Sequence, residues 1–572
     1  MKLSSKGWMS VLLWGAFPLT MFAQGNSVHT ELPKGWHLLD KEQDGYYGIS
    51  MDKAYEFTRQ KKLKSKTVLV AVIDSGVDTL HEDLKNIIWT NPKEIPGNGI
   101  DDDHNGYVDD IHGWNFIGGK DGRNVKDDAQ EEARVYYHFK EQFDLKQLDS
   151  SKWGQDDKDN FHMWVKARKT VMGDDGPDAI IDLGMLHKVL NACIKSDSIL
   201  QRAMGRLEYT GNELDSFQAP SPEARSAKSV FLYPFKANKI MDMTNKAFLN
   251  EFTEQVDQEE KKISARNTPP KDYRHEIVKD NEDDINDRYY GNNDVMAGDP
   301  MHGTHVSGII GAERGNGKGM DGVADNVRIM MIRAVPNGDE HDKDIALAIR
   351  YAVDNGARVI NMSFGKNLSP EKKWVDSAVK YAETKGVLLV HAAGNDNADV
   401  DTADNFPNPN VQHSNYTASN WITVGASSDP LAEPGFKSYT ASFSNYGKQE
   451  VDVFAPGTRI YSTLPGGKNY GNLQGTSMAA PVVTGLAAFI MEYYPSLNAQ
   501  QVKYCIEHSA VPPPGKVKKP GSDDEWVDLT DISRSGGIIN AYEAIKMAAT
   551  LSTTDAHRND KFQKSTLSNK KD

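Results

Sequence analysis

The chain has 572 residues, 38% of them hydrophobic and 26% charged, which is room for one large domain with an insertion or for about two to three ordinary domains. That composition excludes a disordered or fibrous protein. A formal net charge of −15 argues against nucleic acid or an anionic membrane surface as the main partner, and it supplies hard oxygen ligands suited to Ca²⁺.

The first segment reads as an export signal. Lys2 and Lys6 precede an apolar run from Trp8 to Phe22, and Ala23 and Gly25 follow as small residues where cleavage would occur. Residues 1–25 are therefore expected to be a signal peptide, and the protein to be secreted or periplasmic. The run is short and broken by Pro18, so membrane association is expected only through this segment if it stays uncleaved. Short apolar, β-branched runs follow: "TVLVAVID" (Thr67 to Asp74), "VRIMMIRAV" (Val327 to Val335), "RVINMSFG" (Arg358 to Gly365), "VLLVHAAGN" (Val387 to Asn395), "WITVGAS" (Trp421 to Ser427) and "VDVFAPG" (Val451 to Gly457). Runs of this kind fit strands buried on both faces. Between them lie helical patterns starting at Asp344, Pro370 and Ser477. The alternation predicts an α/β fold with a doubly wound, mostly parallel sheet, whose active site lies at the carboxyl ends of its strands.

One region breaks the alternation. Residues 120–287 are charged and carry helical stretches such as Asp178 to Ile194, which reads as a large, mainly helical insertion between a first part of the α/β domain (26–119) and a second (288–549). Residues 550–572 read as a polar, disordered tail. Cys193 and Cys505, the two cysteines, fit either one disulfide or two buried thiols.

The residues that carry chemistry close the strands or open the helices. In "HGTHVSG" two histidines, His302 and His305, stand three apart; they fit a metal pair, or a proton carrier beside a packing residue. Ser477, in "GTSMAAP", opens an apolar helix, where it is either an exposed nucleophile near the positive end of the helix dipole or an N-cap. Asp74 closes the first apolar strand, where a carboxylate is costly unless paired; its plainer reading is a cap or turn residue.

Taken together, "VIDSGVD", "HGTHVSG" and "GTSMAAP", in the order Asp, His, Ser, resemble the three signature blocks of the subtilisin-like serine peptidases. The resemblance covers about residues 35–119 and 288–549, and it implies an exported endopeptidase that cuts protein or peptide substrates through an acyl-enzyme, with no cofactor for the chemistry. It implies Ser477 as nucleophile, His302 as general base, Asp74 as the carboxylate that orients the imidazole, and His305 as a packing residue one helical turn on. Asn395, in "HAAGND", matches the side-chain oxyanion donor, whereas alone it would read as a turn residue. Ser363, Phe364 and Gly365 resemble the edge that pairs with an extended substrate. Asp339, Glu340, Asp342 and Asp396 fall beside that groove, and they read either as a preference for basic side chains upstream of the cut or as a solvated acidic rim.

"DDDHNGYVDD" places oxygens at Asp101, Asp103, Asn105 and Asp109, with Gly106 at the bend, and resembles the front of an EF-hand loop. The terminal glutamate is missing, so a structural Ca²⁺ loop is expected rather than an EF-hand; the alternative is an Asp/Asn-rich turn without metal. Two features depart from the family: the stretch between the expected signal cleavage and Thr67 is short for a folding-assistant propeptide, and the long insertion 120–287 separates the aspartate and histidine blocks, which lie much closer together in typical relatives.

Overall fold

The computed structural model describes residues 32–144, 150–173, 183–238, 240–241, 243–431, 437–522 and 524–552. The expected signal peptide and most of the expected tail lie outside them. Seven strands form one sheet: β1 (Val68–Asp74), β2 (Gly113–Asn115), β3 (Val327–Arg333), β4 (Val359–Met362), β5 (Leu388–Ala392), β6 (Trp421–Ser427) and β7 (Val453–Pro456). Every pairing is parallel, in the order β2-β3-β1-β4-β5-β6-β7. Six of these strands lie within the apolar runs of the sequence. The short β2 does not; Gly113, its first residue, has a φ of 128°, and a Cβ there would lie 1.7 Å from the Met331 carbonyl.

The helices, in chain order, are α1 (Met51–Gln60), α2 (Glu131–Phe143), α3 (Gln155–Met172), α4 (Leu183–Met204), α5 (Gly211–Ser216), α6 (Pro222–Ala237), α7 (Asn245–Ser264), α8 (Tyr273–Ile277), α9 (Met301–Gly311), α10 (Asp342–Asp354), α11 (Lys372–Thr384), α12 (Thr476–Tyr493) and α13 (Ala499–His508). Period-two alternation splits each central strand between two cores. Val70 and Val72 pack with residues of α9, α12 and α13, while Ala71 and Ile73 pack with residues of α10 and α11. Each such aliphatic side chain contributes about 1.5–3 kcal/mol on full burial. Helices thus cover both faces, and the strands all open their carboxyl ends on one side.

Between β2 and α9 the chain is helical. Thr210 and Glu213 form a capping box at the start of α5, and Ser221 caps α6 with Pro222 in its first turn. α2 and α3 share a core around Phe143 and Trp164, while α4, α6 and α7 share another around Phe231, Phe235 and Phe248. The sequence pattern starting at Asp178 is realised from Leu183 onward; Asp178 to Asp182 lie outside the described residues.

Candidate active site

Asp74 is the last residue of β1, which is held between β3 and β4. Its Oδ1 accepts from the Ser75 N–H (2.7 Å) and from His302 Nδ1 (2.8 Å). The buried Oδ2 has no partner among the described residues. His302 stands in the first turn of α9, and Gly303 allows that turn to lie on the strand end: a Cβ there would be 2.2 Å from the Gly76 carbonyl. Because a carboxylate only accepts, the contact fixes the proton on Nδ1 and leaves Nε2 of the neutral ring as an acceptor.

Ser477 is the second residue of α12. The N-cap is Gly475, with a φ of 145°, so the serine does not cap the helix. Its backbone N–H belongs to the first turn and has no intrahelical partner. Its hydroxyl donates to the Ser363 carbonyl (3.1 Å). Among the described residues no hydrogen bond joins Ser477 to His302, but both line one cleft of about 660 Å³. Pro481, four residues on, has no N–H to offer the Ser477 carbonyl, and the Ser363 hydroxyl takes that place at 2.9 Å. Ser363 is held in turn by Asn361 Nδ2 (2.9 Å), whose Oδ1 accepts from Thr484 of the same α12 (2.9 Å). This relay was not visible in the sequence, where Asn361 and Thr484 read as ordinary strand and helix residues.

Asn395 follows β5. Its Oδ1 accepts from the Thr476 N–H (2.8 Å) and hydroxyl (3.0 Å), so the amide nitrogen is the end left to donate. Asn395 lines the same cleft. Phe364 is fixed through its carbonyl, which accepts from His391 Nε2 (2.8 Å), and Gly365 lies beside it on the cleft wall.

The acidic residues of this region differ in their surroundings. Asp339 accepts from the Glu131 N–H at 2.8 Å, and Asp342 from Lys366 at 2.9 Å and from the Ser369 hydroxyl at 3.0 Å. Glu340 is buried with Oε1 unpartnered among the described residues, and burial pushes its carboxyl up to about 7. Asp396 is exposed at the cleft.

His305 is fully buried, donates Nε2–H to the Gly471 carbonyl (3.2 Å), and is pushed down to about 3 by burial. It faces a backbone carbonyl rather than a second ligand. Both cysteines are free and buried, so the disulfide alternative is not realised.

In the acidic loop, Asp101 and Asp103 come together, but the partner that joins them is Glu94 rather than Asn105 or Asp109; ligand atoms of Glu94, Asp101 and Asp103 lie within 4.8 Å of one another. Asp109 is drawn away by the N–H groups of Gly97 (2.9 Å) and Gly99 (2.8 Å). Asn105 donates to Asp110 (3.0 Å), and its Oδ1 accepts from the Tyr107 N–H (2.8 Å). Glu94 is buried, and its Oε2 has no partner among the described residues. Two close carboxylates beside an orphaned buried carboxylate oxygen fit a hard divalent cation.

Comparison with known proteins identifies relatives of this chain. The profile of the subtilase family matches residues 65–537. The chain is 42% identical to the thermophilic serine proteinase of Bacillus sp. (strain AK1) over 37% of its own length and 48% of that protein's, so it spans about half of that relative. It is 34% identical to thermitase of Thermoactinomyces vulgaris over 43% of this chain and 75% of that one. Among solved structures, proteases of Pseudoalteromonas arctica align over 91% of this chain and 100% of theirs, with 18% identity and a TM-score of 0.42.

Proposed function

Since the chain belongs to the subtilase family, we propose that it is a serine endopeptidase acting on protein or peptide substrates, with Asp74, His302 and Ser477 as its triad. The Asp74–His302 contact of 2.8 Å, opening on the cleft that holds Ser477 and Asn395, carries this reading. Ser477 Oγ turns from the Ser363 carbonyl to His302 Nε2, gives up its proton and attacks the scissile carbonyl carbon. The oxyanion forms opposite the Ser477 N–H and Asn395 Nδ2, two donors fixed before the substrate arrives. Asp74 stabilises the imidazolium, which then protonates the leaving amine. Water, deprotonated by the same imidazole, hydrolyses the acyl-enzyme. An extended substrate pairs with the backbone of Ser363, Phe364 and Gly365 as an added strand. A fluorophosphonate should label the wild type and leave Ser477→Ala unlabelled; equal labelling of both would reject the assignment.

A structural Ca²⁺ fits Glu94, Asp101 and Asp103. It would balance three carboxylates and brace the loop, with no part in the chemistry. Chelation should lower Tm, since a cation at about a hundred times its Kd stabilises by about 2.7 kcal/mol. Glu94→Gln should remove that sensitivity. An unchanged Tm in the chelated wild type would leave Lys93, 3.8 Å from Asp103, as the balancing charge instead.

Export follows from the basic and apolar N-terminal sequence. Among the described residues no helix is long and apolar enough to cross a membrane. Mass spectrometry of the exported protein should find its N-terminus after Ala23 or Gly25; an intact Met1 would exclude cleavage.

A further inference from the structure

The chain between β2 and α9 does more than sit on the surface. Phe248, Phe252 and Val256 of α7 are buried in the core shared with α4 and α6. Asn250, Thr253, Asp257 and Lys261 recur at helical spacing on another face of the same helix, and all four line the cleft that holds Asp74, His302 and Ser477.

That face is fastened at both ends. Asn250 Nδ2 lies 3.7 Å from Sδ of Met301, the residue before His302. At the other end Lys261 Nζ donates to the carbonyls of Asn337 (2.9 Å) and Asp128 (3.3 Å). Asn337 leads into Gly338 and Glu340, which also line the cleft. Backbone bonds join Asn337 and Asp339 to Lys126, Asp128 and Ala129 and hold this segment in place. Arg134 of α2 adds bonds to the carbonyls of Asp339 (3.0 Å) and Glu340 (3.1 Å). From Asn250 to Lys261 the helix rises about 16 Å, the length of about five residues of extended chain.

We propose that α7 is the outer wall of the peptide groove and that Asp257 on it selects a basic side chain about two to four residues upstream of the scissile bond. Asp257 stands about 10 Å along the helix from Asn250, or about three extended residues from the His302 end. Its carboxyl is part-buried and makes no hydrogen bond or ion pair among the described residues. Burial raises its pKa above the ordinary carboxylate range against the opposing charge of Lys261 one turn on. Lys261 is spent on the Asn337 and Asp128 carbonyls, so a cation arriving at Asp257 gains a carboxylate that no hydrogen bond or ion pair occupies among the described residues. The inference rests on the endopeptidase reading and adds to it the role of the helical segment and the class of side chain that it reads.

The test uses the full chain and hexapeptide substrates that differ only by Lys or Glu at the second, third or fourth residue upstream of the cut. Active enzyme is counted in each sample by fluorophosphonate labelling. In the wild type kcat/KM should favour Lys at one of these positions by roughly tenfold. Asp257→Asn, an isosteric change, should bring that ratio close to one, and Asp257→Lys should invert it. Ratios that stay the same in the wild type and both variants at all three positions overturn the proposal. A wild type that takes no label overturns the endopeptidase reading instead.

Discussion

His302 and His305 lie one turn apart on α9, and their surroundings give the two rings different capacities. His302 pairs with a carboxylate on one side and opens to the cleft on the other; His305 is sealed against the Gly471 carbonyl. A ring pushed from 6.5 to about 3 stays neutral in the folded protein while the unfolded chain takes up its proton. Its contribution to stability is therefore complete above pH 6.5 and is lost as pH falls toward 3, at about 1.4 kcal/mol per pH unit. His305→Gln keeps a donor for Gly471 but cannot titrate, so its Tm should fall less steeply than the wild type's between pH 6 and 4. Equal slopes would show that the buried ring is not responsible. His302→Ala should instead abolish turnover with little change in Tm. Spacing alone left the two histidines equivalent; the packing around each ring is what separates them.

At the scale of elements, the first turn of α12 shows how a proline serves Ser477, the proposed nucleophile. Pro481 frees the Ser477 carbonyl from the helix, and Ser363 from the end of β4 captures it, so the helix start is tied to the strand that flanks the groove. Ser363→Ala should cost about 1–3 kcal/mol by leaving that carbonyl unpaired, and kcat should fall with it. In a Pro481→Ala background the helix regains an N–H for this carbonyl, so the stability penalty of Ser363→Ala should shrink; additive penalties would refute the coupling. The strands and helices of the sheet were legible because apolar runs and turn residues mark them directly. The grouping of carboxylates in the acidic loop was legible only in part: alternating Asp101 and Asp103 pointed to it, but the glycine N–H groups that capture Asp109 and the bend that brings in Glu94 are set by backbone geometry that residue spacing does not encode.

Across the whole molecule, buried charges lock the helical segment to α10, one of the helices that cover the sheet. Arg274 of α8 makes two bonds to Asp344 of α10 (2.6 and 2.9 Å) and one to Asp280 (2.7 Å); Lys343 shares Asp280 (2.6 Å), and the Tyr290 hydroxyl also reaches Asp344. Asp344→Ala should cost about 3–5 kcal/mol, read as a lower Tm, because it strands a buried guanidinium; Asp344→Asn should recover part of this loss. A Tm within a degree of the wild type would show that the network holds nothing. The charged, helical character of residues 120–287 was legible in the sequence, but the place of Asn250, Thr253 and Asp257 on the cleft was not, since such residues also suit a face turned to water. The sheet order has a consequence for synthesis. β1 ends at Asp74, but its neighbours start only at Val327 and Val359. At about 5–20 residues per second, the central strand emerges well before its partners, while the helices of the segment pack on near neighbours and can fold at once. Ser477 is made later still, so a growing chain has not yet assembled the proposed triad with which to cut itself or its neighbours.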